Sequence, residues 1–213
     1  MSSIAQYTAP DPVRQQLRVV PTLPSVDMAA AQKAATDLLV ALGVQLDSEA
    51  MAETPSRMAQ AYAEMLRVPA FELTTFENIA QADELLLVED IPVRSLCEEH
   101  MLPFVGVAHV GYLPGERILG PSKFAWVVDY FGRRPQTQQR MTEQVAEYLQ
   151  EQLLPRGIGV VIEAEHSCQG LRGMGAVGVR TRTSTLLGAL RWAAWASRAE
   201  FLSLTHGRRN DNE

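Results

Sequence analysis

Apolar residues change their spacing several times along this chain, and each change predicts an element. From Asp27, a suitable N-cap, an alanine-rich run continues at helical spacing to Leu42, where Gly43 ends it. Thr54 as N-cap and Pro55 in the first turn announce a second helix, with Met58, Tyr62 and Met65 on one side. Near residue 84 the pattern turns strand-like: E-L-L-L-V-E-D-I-P-V-R-S-L, then V-G-V-A-H-V-G-Y-L (105–113), then a P-G-E-R turn and the short return R-I-L-G. Ser122 is the expected cap of a helix whose apolar face is Phe124, Val127, Val128 and Phe131. A further helix is predicted over Gln138 to Leu153, with Met141, Val145, Leu149 and Leu153 as its stripe and Pro155 and Gly157 as its stop. G-V-V-I-E-A-E-H-S-C and R-T-R-T-S-T-L-L-G read as strands, and a last helix as Ala189 to Leu204. Two helices, a hairpin, two helices and more strands make an α+β domain with an antiparallel sheet and helices packed on one of its faces.

The expected organisation is a tail over 1–26, a helical region over 27–80, a main domain over 81–205 and a polar tail over 206–213. Pro10, Pro12, Pro21 and Pro24 suit partial disorder in the first tail, or an arm lying on a neighbouring subunit. The chain has 213 residues, enough for one sizeable core. A net charge of −6 argues against a nucleic-acid partner while leaving room for a small anion held by local cations. No apolar run approaches the ~20 residues of a membrane span, and the first residues lack the pattern of a signal peptide, so the expected location is cytoplasmic.

The only cysteines are Cys97 and Cys168, and each has a histidine nearby: C-x2-H with His100, and H-x-C with His166. In a strand, residues two apart share a face, so His166 and Cys168 are expected to project together. Four zinc-type donors converge if that strand lies beside the Cys97 loop. The spacing alone leaves open isolated buried side chains, a closed structural zinc and a catalytic zinc with three ligands. His109, in a strand, reads as a structural histidine. Trp192 and Trp195 read as packing residues.

The stretch S-L-C-E-E-H-M-L-P-F-V-G (95–106) resembles the S-x-C-E-H-H-x-x-P-F-x-G signature of the GTP cyclohydrolase I family. The likeness continues in order through E-T-P-S-R-M-A-Q-A-Y (53–62), H-V-G-Y-L-P (109–114), L-G-P-S-K (119–123), R-R-P-Q-T-Q-Q-R (133–140), E-H-S-C-Q-G-L-R-G (165–173) and T-S-T-L-L-G (183–188). It implies a tunnelling fold, a decamer of two pentamers with active sites between subunits, and zinc-assisted attack of water on C8 of a purine. By position it implies Cys97, His100 and Cys168 as zinc ligands and His166 as a proton relay. Ser122, Lys123 and Arg172 then contact the substrate.

Three positions depart from the family pattern. Glu99 stands where C-E-H-H has its first histidine, the residue that protonates the purine. Its carboxyl, with a reference pKa of about 4.3, suits a base or a fourth ligand better than an acid. Trp126 replaces a phosphate-gripping arginine, and Gln139 replaces the glutamate that reads the guanine edge. The leading expectation is therefore a retooled zinc-dependent cyclohydrolase acting on a purine-like heterocycle. The alternatives are an authentic GTP cyclohydrolase I, which makes dihydroneopterin triphosphate and formate, and a non-catalytic zinc-binding paralogue.

Overall fold

A computed structural model describes residues 17–19, 25–68, 71–171, 177–192 and 195–205. Most of the expected N-terminal tail, the polar C-terminal tail with His206, Arg172, and the side chains of Trp192 and Trp195 lie outside them. In chain order the elements are β1 (Leu17–Val19), α1 (Met28–Ala41), α2 (Glu49–Ala52), α3 (Thr54–Met65), β2 (Phe71–Leu73), β3 (Thr75–Glu77), β4 (Leu86–Cys97), β5 (Pro103–Leu113) and β6 (Arg117–Leu119). Then follow α4 (Pro121–Gly132), β7 (Pro135–Gln136), α5 (Gln138–Leu153), β8 (Gly157–His166), α6 (Ser167–Gly170), β9 (Arg180–Gly188), α7 (Ala189–Trp192) and α8 (Trp195–Leu204).

The main sheet has the order β7-β4-β5-β8-β9, antiparallel except for the parallel β4–β7 contact. Along β8 the residues Ile158, Val160, Ile162 and Ala164 are at most 1% exposed and belong to one core with α4 and α5. That stripe is the period-2 consequence of packing one sheet face against helices. From α5 the core takes Met141, Val145, Leu149 and Leu153, all fully buried. Asp27 caps α1 through Ala30 N at 3.0 Å, and Thr137 caps α5 through Arg140 N at 3.2 Å. Gly43 adopts φ +80° just past α1, a conformation glycine takes without strain.

The structure corrects several local expectations. Thr54 is the first residue of α3 rather than its cap; Glu53 occupies the cap, and the Thr54 hydroxyl turns to Met51 Sδ at 3.7 Å. Gly120, not Ser122, caps α4, because Pro121 takes the first helical position. The short return does not pair with β5. Instead β6 pairs antiparallel with β3, and β1 with β2, in two separate two-stranded sheets. β8 stops at His166, so Cys168 sits in the helical turn α6 and not on the strand.

Helix α8 adds a layer on the other face of the sheet. Phe201 is fully buried there, in a second cluster with Val161 and Leu190. Gly111 of β5 and Gly159 of β8 are register partners, and a Cβ on either would stand 2.7 or 2.5 Å from the Phe201 ring. Their missing side chains form the notch that the ring fills. Phe201→Ala leaves the notch empty and is expected to destabilise the fold by about 3–5 kcal/mol, measured by denaturant unfolding.

Candidate metal centre

Strands β4 and β8 both run antiparallel to β5, so they run parallel to each other and end at the same edge of the sheet. Cys97 is the last residue of β4 and His166 the last of β8. Ser95 pairs with Phe104, and Phe104 with His166. Alternation along each strand therefore sets Cys97, Phe104 and His166 on the face that α4 and α5 cover.

Beyond Cys97 the chain turns back sharply. His100 N and Met101 N donate to Cys97 O at 3.3 and 2.7 Å, and Cys97 N donates to Leu102 O at 2.8 Å. Met101 adopts φ +54°, which costs a non-glycine residue on the order of 1–2 kcal/mol. Tyr62 of α3 steadies it by donating to Met101 O at 3.1 Å. The turn brings His100 Nδ1 to 3.8 Å from Cys97 Sγ. The donor atoms of Cys97, His100 and Cys168 all lie within 4.8 Å of one another.

Tetrahedral zinc with bonds of ~2.3 Å to sulfur and ~2.0 Å to nitrogen would set sulfur and nitrogen about 3.5 Å apart, so the trio fits such an ion after a small contraction. Two thiols and an imidazole are also the donors that zinc favours. Without a cation, burial first and the neighbouring Cys97 thiol next push the Cys168 thiol up. A bound dication reverses that balance by stabilising the thiolate.

Glu98 and Glu99 differ in what they touch. Glu98 forms an ion pair with Arg140, which also donates to Gln136 Oε1 at 2.9 Å and Pro135 O at 3.0 Å. This ties the loop to β7 and α5, in keeping with a structural role. Glu99 has a side chain 72% exposed, with its carboxylate 4.0 Å from His100 Nδ1. His166 stacks on Phe104, ring centroids 4.6 Å apart, and burial lowers its pKa, favouring the neutral ring.

Other expected site residues stand further off. Gln139 is at the same end of the sheet, in the first turn of α5, with its amide donating to Glu143 Oε1 at 2.7 Å. Ser122 and Lys123 open α4, whereas Gly132 at its far end packs against Arg94 O, three residues before Cys97. The helix, about 18 Å long, separates them from the donors in the same chain. Trp126 is exposed, with the Lys123 ammonium 4.0 Å from its ring centroid. A cavity of about 310 Å³ beside the loop is lined by Glu64, Arg94, Ser95, Pro103 and Arg133 and reaches none of the three donors. His109 is the buried structural histidine expected, accepting from Asp90 N at 3.3 Å.

Gln138 was not marked by the sequence reading. It is 4% exposed, and its amide bridges His166, β8 and β9. A signal was present: Gln138 shares the i, i+3, i+7 stripe of Met141 and Val145, and a polar residue on an apolar stripe needs buried partners.

The fold and this donor set define an α+β protein with a thiol–imidazole centre suited to a metal ion. Residues 31–206 match the model of a family described as GTP cyclohydrolase I. GTP cyclohydrolase 1 of Thermobifida fusca (strain YX) is 46% identical over 191 residues, covering 86% of this chain and 91% of that protein. GTP cyclohydrolase 1 of Mycobacterium avium (strain 104) is 44% identical over 203 residues, covering 92% and 96%. Among solved structures, an archaeosine synthase QueF-Like in the apo form shows a likeness too slight to bear on fold or function, with 16% identity, a TM-score of 0.41, and coverage of 49% of this chain and 93% of that one. The chain belongs to the GTP cyclohydrolase I family.

Zinc added to metal-free protein is expected to bind with release of protons, so its apparent affinity falls as pH drops, as competition with a chromophoric chelator would show. Cys168→Ser is expected to lower retained zinc well below one ion per chain; Glu99→Gln is expected to leave it near the original level.

Proposed function

We propose that this chain is a zinc-dependent GTP cyclohydrolase I, which hydrolyses GTP to formate and dihydroneopterin triphosphate. The observation that carries the reading is the convergence of Cys97, His100 and Cys168 at one sheet edge, in a chain 46% identical to a protein of that name. These three residues hold the ion. When bound, it supplies a Lewis acid that brings attack by water into the neutral pH range. The neutral His166 ring accepts a proton during hydrolysis.

The leading expectation, a retooled enzyme, rested on Glu99, Trp126 and Gln139. One of these looks milder in place. The Gln139 amide donates to Glu143, so its NH2 is turned aside and its oxygen remains an acceptor. A guanine edge with two donors then meets one acceptor oxygen where a glutamate carboxylate would offer two. Trp126 removes one cation and packs against the Lys123 ammonium, which lies 4.0 Å from its ring centroid. Nothing in the structure shows what supplies the proton that the family's histidine gives where Glu99 stands.

Because α4 separates Ser122 and Lys123 from the donors, a second copy of the chain brings its own Ser122, Lys123 and Trp126 to each centre, and the working unit is a homo-oligomer. The resemblance makes that oligomer a decamer and adds Arg172 as a triphosphate contact. No helix among the described residues is long and apolar enough to cross a membrane.

Incubation with GTP is expected to yield formate and a fluorescent pterin in equal amounts, and Cys168→Ser is expected to abolish both. Formate without pterin, or neither product at one zinc per chain, would return the reading to a retooled enzyme. Trp126→Arg restores a bidentate phosphate partner and is expected to lower the KM for GTP about tenfold, the scale of one charge-assisted hydrogen bond, with kcat little changed.

A further inference from the structure

The direction of every hydrogen bond around Gln138 can be worked out from its partners. The side-chain nitrogen lies 2.9 Å from Ile162 O, 2.9 Å from Thr181 O and 3.2 Å from Thr183 Oγ1. Two of these are carbonyl oxygens, which only accept, so the amide cannot be flipped without setting oxygen against oxygen. Its oxygen therefore faces His166 Nε2, at 2.8 Å. The neighbouring hydroxyls agree. Thr142 Oγ1 donates to Gln138 O at 2.8 Å, so it accepts from Thr183 Oγ1 at 2.6 Å, and the Thr183 oxygen stays open to the Gln138 amide. Gln138 and Thr142 are both buried, so water does not compete for these bonds.

An amide oxygen only accepts, so His166 must donate from Nε2. In a neutral ring the lone pair is then on Nδ1, to which no described residue donates. The stack on Phe104, 15° from parallel, hinders a turn of the ring that would exchange the nitrogens. We propose that Gln138 is a positioning residue that holds His166 in its Nε2–H form and so reserves Nδ1 as the proton-accepting atom. The catalytic consequence rests on the function proposed above; the form of the ring does not.

The first test needs neither turnover nor a variant. Nitrogen-15 NMR of the imidazoles, on the full-length protein with and without zinc, is expected to show His166 as one tautomer with a slowly exchanging hydrogen on Nε2. A hydrogen on Nδ1, or a mixture of both forms, overturns the proposal even if GTP is hydrolysed. A single Nε2–H form supports it even if GTP is not a substrate.

The second test is a double-mutant cycle on GTP turnover. Gln138→Met, close in volume and unable to hydrogen-bond the ring, is expected to lower kcat at least tenfold. KM is expected to stay within threefold and zinc content to be unchanged, with the Nε2–H signal lost to exchange with water. Combined with His166→Ala, it is expected to add no further loss. Losses that multiply would show that Gln138 acts independently of His166, and would overturn its role as a positioning residue.

Discussion

Strand β5 is hydrogen-bonded along both edges, and its register against β4 and β8 is the constraint on which the centre depends. A slip of one residue would send Phe104 and either Cys97 or His166 to opposite faces of the sheet. Gly106 helps hold the pairing, because a Cβ there would come 1.9 Å from Glu163 O. With no side chain at that point, β8 can lie close enough for Phe104 to pair with His166. The site thus inherits its geometry from backbone pairing, and the loops only complete it.

The first turn of α5 gathers the polar side of the same arrangement. Two of its residues reach different parts of the site, Gln138 to His166 and Arg140 to Glu98, while Gln139 between them bonds Glu143 one turn on in the same helix. This turn is held in place from further along, since the fully buried stripe from Met141 to Leu153 fixes the rotation of the helix. A cavity made on that stripe would therefore be felt at the centre without any residue there being touched.

Much of this was legible in the sequence where one local rule dominated. The bounds of α5 follow from an apolar stripe and the stop at Pro155 and Gly157, and its helical pattern meets no competing signal. Residue type and spacing marked Cys97, His100, His166 and Cys168 alike as possible donors, and only the family resemblance singled out the three that the fold brings together. The sheet partner of β6 was not, since a three-residue strand carries no address and tertiary packing chose β3. The strand assigned through Cys168 failed for a related reason: alternation shows that a strand exists but not where hydrogen bonding stops. Gln138 escaped because its importance lies in contacts with residues 24 to 45 positions away. Resemblance drew attention to Gln139 as a departure, while the amide that bridges the two strands stood one residue earlier.

The notch formed by Gly111 and Gly159 has a consequence for biosynthesis. All five strands of the main sheet leave the ribosome before Phe201 does, so the nascent sheet carries an open apolar slot on one side. Until α8 docks, that slot is accessible to any neighbouring chain. Slowing elongation after residue 188 would prolong this exposed interval, and misassembly during synthesis would grow with the local density of nascent chains.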